Sequence, residues 1–357
     1  MDFNIELVLK ELVESGGTDI FLVTGSSISI RKNGKIVHLD AVGFENKPLK
    51  PADTREIISM IYKLANDRSM DKLNQTGDDD FAFALSGVSR FRINAYRQRG
   101  TLSAVIRVIP YLIPNPDEMN IPKSIIELGN IKKGLVLVTG PAGSGKSTTL
   151  ACILDAINNT RNANIITLED PIEYLHKHKQ SLISQREIPD DTVDYVTGLK
   201  TTLRQSPDVI MLGEMRDYET ISIVLNASET GHLLFSTLHT IGAANSINRV
   251  IDVFPSDQQK QVSLMLSMVL TAVVSQQLVP TTDGGMIPVF EIMMNTPAIG
   301  NLIRSGKVYQ IDSVIASERE TMVSMDDSLL DVYRRGLITK ETALKYAINP
   351  DMLERKL

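Results

Sequence analysis

Residues 134–149 read GLVLVTGPAGSGKSTT, an apolar run that ends at Gly140 and continues as Gly140-x4-Gly145-Lys146-Ser147 into a helix-compatible segment. Strand, glycine-rich turn and helix in that order form the phosphate-loop arrangement. Glycines let backbone N–H groups turn inward around phosphates, Lys146 reaches the β- and γ-phosphates, and the Ser147 hydroxyl ligates Mg²⁺. The candidate nucleotide-binding residues are therefore Gly140, Pro141, Ala142, Gly143, Ser144, Gly145, Lys146, Ser147 and Thr148, with ATP or ADP and Mg²⁺ as the ligands. Three further runs have the same short, continuously apolar character: NIITLEDP (164–171), DVIMLGE (208–214) and HLLFSTLH (232–239). Helical patterns separate them, as expected for strands buried on both faces of a mostly parallel sheet. The fold class is α/β.

Ligands of open α/β sheets bind beyond the carboxyl ends of the strands, so the residues at those ends are the candidates for chemistry. Strand 209–212 is followed by Glu214, placed to hold Mg²⁺ directly or through a water and to orient the attacking water, or alternatively to cap the next helix. Asp208 precedes the strand, at the far end, and is read as structural. The run ITLEDPIEY ends in Glu169, Asp170 and, past Pro171, Glu173. Three carboxylates beside a triphosphate repel it unless they face Mg²⁺ or water, so some of them cap or bridge. Two of the five histidines, His232 and His239, bracket the last run. At ~3.3 Å per residue they stand on the order of 20 Å apart, too far for one ion to bridge. His239 lies at the phosphate end, where it either senses the γ-phosphate or orients water, or is simply bonded to backbone. His232, at the other end, has no phosphate to touch by this argument.

The first 110 residues are of another kind. Apolar positions at Ile5, Val8, Leu9, Leu12 and Val13 predict a helix over residues 4–14, and a second helix is predicted over 52–65. Strand patterns surround them, with Asn33-Gly34 as a two-residue hairpin turn. This is a small α+β domain rich in arginine. Four prolines within residues 110–122 then mark a linker, because proline neither continues a helix nor joins a central strand. The expected domains are 1–109, linker 110–122, and an α/β domain over 123–357 whose final part, from about 256, is a helical subdomain. Within that part, helices are predicted over 256–275, 298–304, 328–335 and 340–347.

Composition limits the options. An apolar share of 43% and a charged share of 22% describe a globular protein, and a net charge of −6 argues against a general nucleic-acid binder. The single cysteine, Cys152, rules out a disulfide framework and a CxxC zinc site, and suits a reducing cytoplasm. The N-terminus lacks the basic-then-apolar layout of a signal peptide, and no run reaches the ~20 mostly apolar residues of a membrane span. Any membrane role is expected to come through partners.

With these blocks together, the chain resembles the retraction motors of type IV pili, a branch of the secretion ATPases, over almost its whole length. The phosphate loop corresponds to that family's Walker A, LEDPIEY to its Asp box, IMLGEMRD to an atypical Walker B and GHLLFSTLH to its His box. The resemblance implies a PAS-like N-terminal domain, a RecA-like ATPase core and a homo-hexameric ring. It implies that Glu214 is the catalytic acid, that Glu173 acts in the Asp box and that both His232 and His239 are functional. It also implies that arginines of the N-terminal domain, from among Arg92, Arg97 and Arg107, act as fingers on the γ-phosphate. The implied partners are the pilus machinery and its inner-membrane platform protein, reached from the cytoplasmic face, with no nucleic acid. Two positions depart from the family pattern: Gly300 stands in AIGNLIR where AIRNLIR is usual, and Phe21 stands where a histidine is usual. An accessory retraction or pilus-assembly ATPase of the same superfamily is the near alternative. A RecA-like nucleic-acid translocase is the distant one, which the acidic balance disfavours.

Overall fold

The computed structural model describes residues 4–32, 34–39, 47–109 and 111–357. They divide into two units, the first comprising residues 1–112 with 173–175, the second 113–172 and 176–357.

In the first unit, α1 (Ile5–Glu14) is capped by the Asn4 side chain and buries Ile5, Val8, Leu9 and Leu12, the face its apolar spacing predicts. There follow β1 (Asp19–Leu22), β2 (Ser29–Lys32), β3 (Lys35–His38), α2 (Pro51–Leu64), α3 (Asp71–Thr76), β4 (Asp78–Leu85), β5 (Ser89–Gln98) and β6 (Thr101–Ile109). The strands form one antiparallel sheet in the order β3-β2-β1-β6-β5-β4. Of the predicted Asn33-Gly34 turn, Asn33 lies outside the described residues; β2 and β3 pair across it with Lys32 opposite Lys35. Alternation along β5 buries Phe91, Ile93 and Ala95 and leaves Arg90 and Arg92 on the other face. Arg92 is directly opposite Arg107 of β6.

The expected linker contains neither helix nor strand over residues 111–122, and Pro110 lies outside the described residues. Its later part is committed to the second unit, because Ile113 and Ile121 pack into that unit's core. That unit then runs α4 (Lys123–Ile126), β7 (Gly134–Thr139), α5 (Lys146–Thr160), β8 (Asn164–Glu169), β9 (Leu182–Glu187), α6 (Tyr195–Thr202) and β10 (Val209–Leu212). It continues with α7 (Tyr218–Glu229), β11 (Leu233–Leu238), α8 (Ala243–Asp252), α9 (Gln259–Val269), β12 (Leu270–Pro280) and β13 (Met286–Met294). The last elements are α10 (Pro297–Arg304), α11 (Ile311–Ser317), α12 (Met325–Arg334), α13 (Lys340–Tyr346) and α14 (Pro350–Glu354). The sheet order is β13-β12-β7-β11-β10-β8-β9, parallel throughout except for β13, which runs antiparallel to β12.

All six residues of β7 are buried, and they serve two cores. Leu135 and Leu137 pack with α7, α8 and α9 on one face. Val136 and Val138 pack with α5 on the other. Truncating one of these leucines to alanine costs about 2–5 kcal/mol.

One prediction fails here. Residues 256–275 are not one helix: α9 ends at Val269, and Leu270 begins β12, which joins the sheet beside β7. The subdomain from 256 onward is therefore helical only in α9 and again from Pro297, with a hairpin of two long strands between. The reason is physical. A strand buried on both faces shows no two-residue alternation, so LTAVVSQQLV has no period to separate it from helix, and only its β-branched content favours a strand.

Candidate active site

The parallel strands end at one edge, where the phosphate loop, Glu214 and His239 are found. The loop of residues 140–145 leaves β7 and enters α5. Gly140, Gly143 and Gly145 have φ of 145°, 75° and 88°, values that side-chain-bearing residues rarely adopt. At Gly140 the need is also steric, because a Cβ there would collide with the Gln276 carbonyl oxygen and lie 2.8 Å from Ser144 Oγ. Lys146 is buried at the first turn of α5, where its ammonium donates to the Gly140 and Pro141 carbonyls, both at 2.9 Å. Its charge is thus held at the centre of the loop.

A residue not foreseen braces this loop from behind. Gln276 of β12 is buried, its Oε1 accepts from Thr149 Oγ1 of α5 at 2.7 Å, and its Nε2 would lie 2.8 Å from a Cβ on Gly145. The signal available beforehand was the pair Gln276-Gln277 inside an apolar run, since a buried amide requires fixed partners.

Glu214 follows Gly213 at the end of β10. Its Oε1 pairs with Arg216 Nε at 2.7 Å and its Oε2 stands 3.4 Å from His239 Nε2, just past the end of β11. The two side chains are 21% and 47% exposed, so both remain open to a ligand. Adjacent parallel strands place them together: β10 and β11 pair in register from Val209↔Leu233 to Leu212↔Ser236. Thr237 secures the crossing by donating to the Gly213 carbonyl at 2.6 Å. Tyr195 lies behind, its hydroxyl 2.8 Å from where a Cβ on Gly213 would sit. Burial, then the carboxylates of Glu214, Asp170 and Glu169, push its phenol well above the usual range. Tyr195 was also missed, because a lone tyrosine opening a helix carries no sequence signal.

Of the acidic run after β8, Glu169 is buried and accepts from Thr167 Oγ1 at 2.6 Å and Gln185 Nε2 at 3.1 Å, the bridging role expected of some of these acids. Glu173 is exposed and falls in the segment grouped with the first unit. The three arginines belong to that unit as well. Arg107 Nε donates to Asp19 Oδ1 at 2.9 Å, Arg97 donates to Asn74 Oδ1 at 3.2 Å, and Arg92 stands 4.0 Å from Asp80. His232 sits at the amino end of β11, where its Nδ1 donates to the Ala227 carbonyl at 2.9 Å. Asp208, read as structural, accepts from the Asn164 N–H at 2.7 Å.

The loop following His239 is anchored to the phosphate loop's strand. Ser246 of α8 donates to the Gly242 carbonyl at 2.7 Å and stands 2.7 Å from Thr240 Oγ1 and 3.2 Å from Thr139 Oγ1, the last residue of β7.

These groups fit a nucleoside triphosphate with Mg²⁺. The cradle leaves no room for a side chain at Gly140 and little at Gly145, and the Ser144 hydroxyl is buried with no protein partner. Ser147 Oγ and the Glu214 carboxylate are the hard oxygen donors that Mg²⁺ takes. No helix among the described residues is long and apolar enough to cross a membrane.

A parallel sheet with a phosphate loop on one strand and an acid and a histidine on neighbouring strand ends defines a P-loop ATPase with a RecA-like core. The chain belongs to the type II/IV secretion system protein family, whose sequence model matches residues 5–286. It is 41% identical to the type IV pilus retraction ATPase PilT of Pseudomonas aeruginosa over 98% of this chain and 99% of that one. It is 44% identical to a twitching motility protein of Neisseria gonorrhoeae over 85% of this chain and 82% of that one. Among solved structures, a crystal structure of the pilus retraction motor PilT with bound ADP matches with a TM-score of 0.90 at 41% identity, covering 99% of this chain and all of the other.

Proposed function

We propose that this chain is a Mg²⁺-dependent ATPase that works as a homo-hexameric ring, at the cytoplasmic face of the inner membrane, to power retraction of type IV pili through the pilus machinery and its platform protein. One observation carries the reading: a chain similar from end to end to a pilus retraction ATPase keeps the phosphate loop, Glu214 and His239 together at one sheet edge. In this reading the backbone N–H groups of residues 140–148 and the Ser144 hydroxyl bind the phosphates, and Lys146 neutralises charge that develops on the γ-phosphate. Mg²⁺, held by Ser147 and by Glu214 directly or through water, supplies further neutralisation of that charge. Glu214 orients the attacking water and accepts its proton, and His239, within reach of the same carboxylate, reports whether the γ-phosphate is present. An arginine from among Arg92, Arg97 and Arg107 completes the charge stabilisation, Glu173 acts in the Asp box, and the first unit is PAS-like.

The test is deletion of the gene, scored for surface pili and twitching. Surplus pili that do not retract, with loss of twitching, is the expected result. Bald cells would assign the chain to pilus extension, and unchanged piliation and movement would remove it from pilus work altogether.

A further inference from the structure

β12 runs parallel to β7 with Ser275 beside Thr139, so Gln276 arrives level with Gly140, where the phosphate loop begins. Alternate residues of a strand share a face, and Ala272 and Val274, on the same face as Gln276, pack with α5 in the apolar core. Gln276 continues that face up to the loop, and there the apolar pattern gives way to an amide. Its Oε1 accepts from Thr149 Oγ1 at 2.7 Å, and both residues are buried. Its Nε2 stands in the space a Cβ on Gly145 would need, and its backbone carbonyl does the same at Gly140. One residue therefore abuts both ends of the loop and the first turn of the helix that follows.

Gly145 is the N-cap of α5, and glycine has no side chain with which to hold the N–H groups of that turn. The start of this helix is braced from the sheet instead. Leu150, Ile153 and Leu154 pack the body of α5 in the core, but apolar contact is non-directional and leaves the rotation of the first turn loosely defined. A helical threonine hydroxyl can also turn back to the carbonyl four residues earlier, which bends the helix. Here the Thr149 N–H donates to the Gly145 carbonyl at 3.0 Å, while its hydroxyl goes to Gln276.

We propose that Gln276 is a positioning residue for the nucleotide: by holding Gly145 and Thr149 it aims the N–H groups of residues 145–148 and the Ser147 hydroxyl at the phosphates and Mg²⁺. It rests on the ATPase reading of the phosphate edge and adds to it a residue outside the phosphate-loop motif. Donors that are already aimed need no reordering when the ligand arrives. Without the brace, the first turn of α5 must be ordered on binding, and that cost falls equally on the ground state and the transition state. A loss of uniform binding raises Kd and KM and leaves kcat little changed. Gln276 therefore sets how tightly nucleotide is held, and Thr149 is the residue through which it acts.

The experiment compares the full chain with Gln276→Leu, Thr149→Val and the double variant, with Thr149→Ser as the conservative replacement that keeps the hydroxyl. Binding of ADP with Mg²⁺ is measured by calorimetry well below the melting temperature of each variant, beside steady-state ATP turnover. Gln276→Leu is expected to raise the ADP Kd and the ATP KM about ten-fold, and Thr149→Val about five-fold, with kcat changed less than about three-fold in each. Because the two residues act through one bond, the double variant should bind about as Gln276→Leu does, whereas independent effects would multiply to about 50-fold. Thr149→Ser should bind within about two-fold of wild type, since it retains the donor. A lowered melting temperature with unchanged Kd would make Gln276 a core residue only and overturn the proposal. A fall in kcat as large as the rise in KM, or multiplied effects in the double variant, would overturn it as well. If wild type releases phosphate no faster than Lys146→Ala, the ATPase reading fails instead, and ADP binding still decides the role of Gln276.

Discussion

The two edges of the parallel sheet treat polar groups in opposite ways. At the amino edge, His232 donates to the Ala227 carbonyl, its own carbonyl accepts from Gly134, and Asp208 accepts from the Asn164 N–H. Those groups hold strands and helix ends together. At the carboxyl edge, Lys146 donates to carbonyls of its own loop, Ser144 is buried without a protein partner, and Glu214 and His239 face one another at 3.4 Å with exposed surface remaining. Polar groups at that edge are placed for something beyond the protein. The contrast matters because an unsatisfied polar group costs free energy unless a ligand completes it. The fold tolerates that cost at Ser144, inside the phosphate loop.

The contrast can be broken most severely at Lys146. Lys146→Ala is expected to lower kcat by about 10³-fold or more while the chain stays folded, since it removes the principal cation of the loop. A phosphate-release assay beside a thermal melt checks both halves. Next comes Glu214→Ala, expected to reduce kcat by about 10²- to 10⁴-fold, the range for a lost general base, with nucleotide binding nearly unchanged. Near-normal steady-state turnover in that variant would leave Glu214 only its pairing with Arg216, since Asp217 is the cap of α7. The smallest and most discriminating test uses the two histidines, which sit at opposite ends of one strand. His239→Ala is expected to slow turnover about ten-fold, equivalent to about 1.4 kcal/mol, with little change in melting. His232→Ala should lose about 1 kcal/mol of stability, a drop of a few degrees, with kcat within about two-fold of wild type. If His232→Ala instead abolished turnover without affecting stability, the amino edge would have a function that its bonds within this chain do not account for.

Much of this site was readable in advance because its signals are local. The phosphate loop, the strands that end in Glu214 and His239, and the distance separating the two histidines all follow from residues close together in the chain. What escaped notice was brought from afar. Gln276 lies 127 residues from Thr149, whose hydroxyl it receives, and Ser246 lies 107 from Thr139. The helix expected over 256–275 failed for a related reason: the strand that replaces its end is defined by burial between two layers, and burial on both faces leaves no period to read.

By itself, then, the sequence determined the α/β class, the loop that takes phosphates and the strand-end residues to watch, because backbone turns and apolar runs are properties of short segments. The tertiary structure alone decided that Glu214 meets His239 and that Gln276 supports the loop. Those contacts depend on strand order and register in a sheet whose neighbours are distant in sequence, and no local pattern encodes that order.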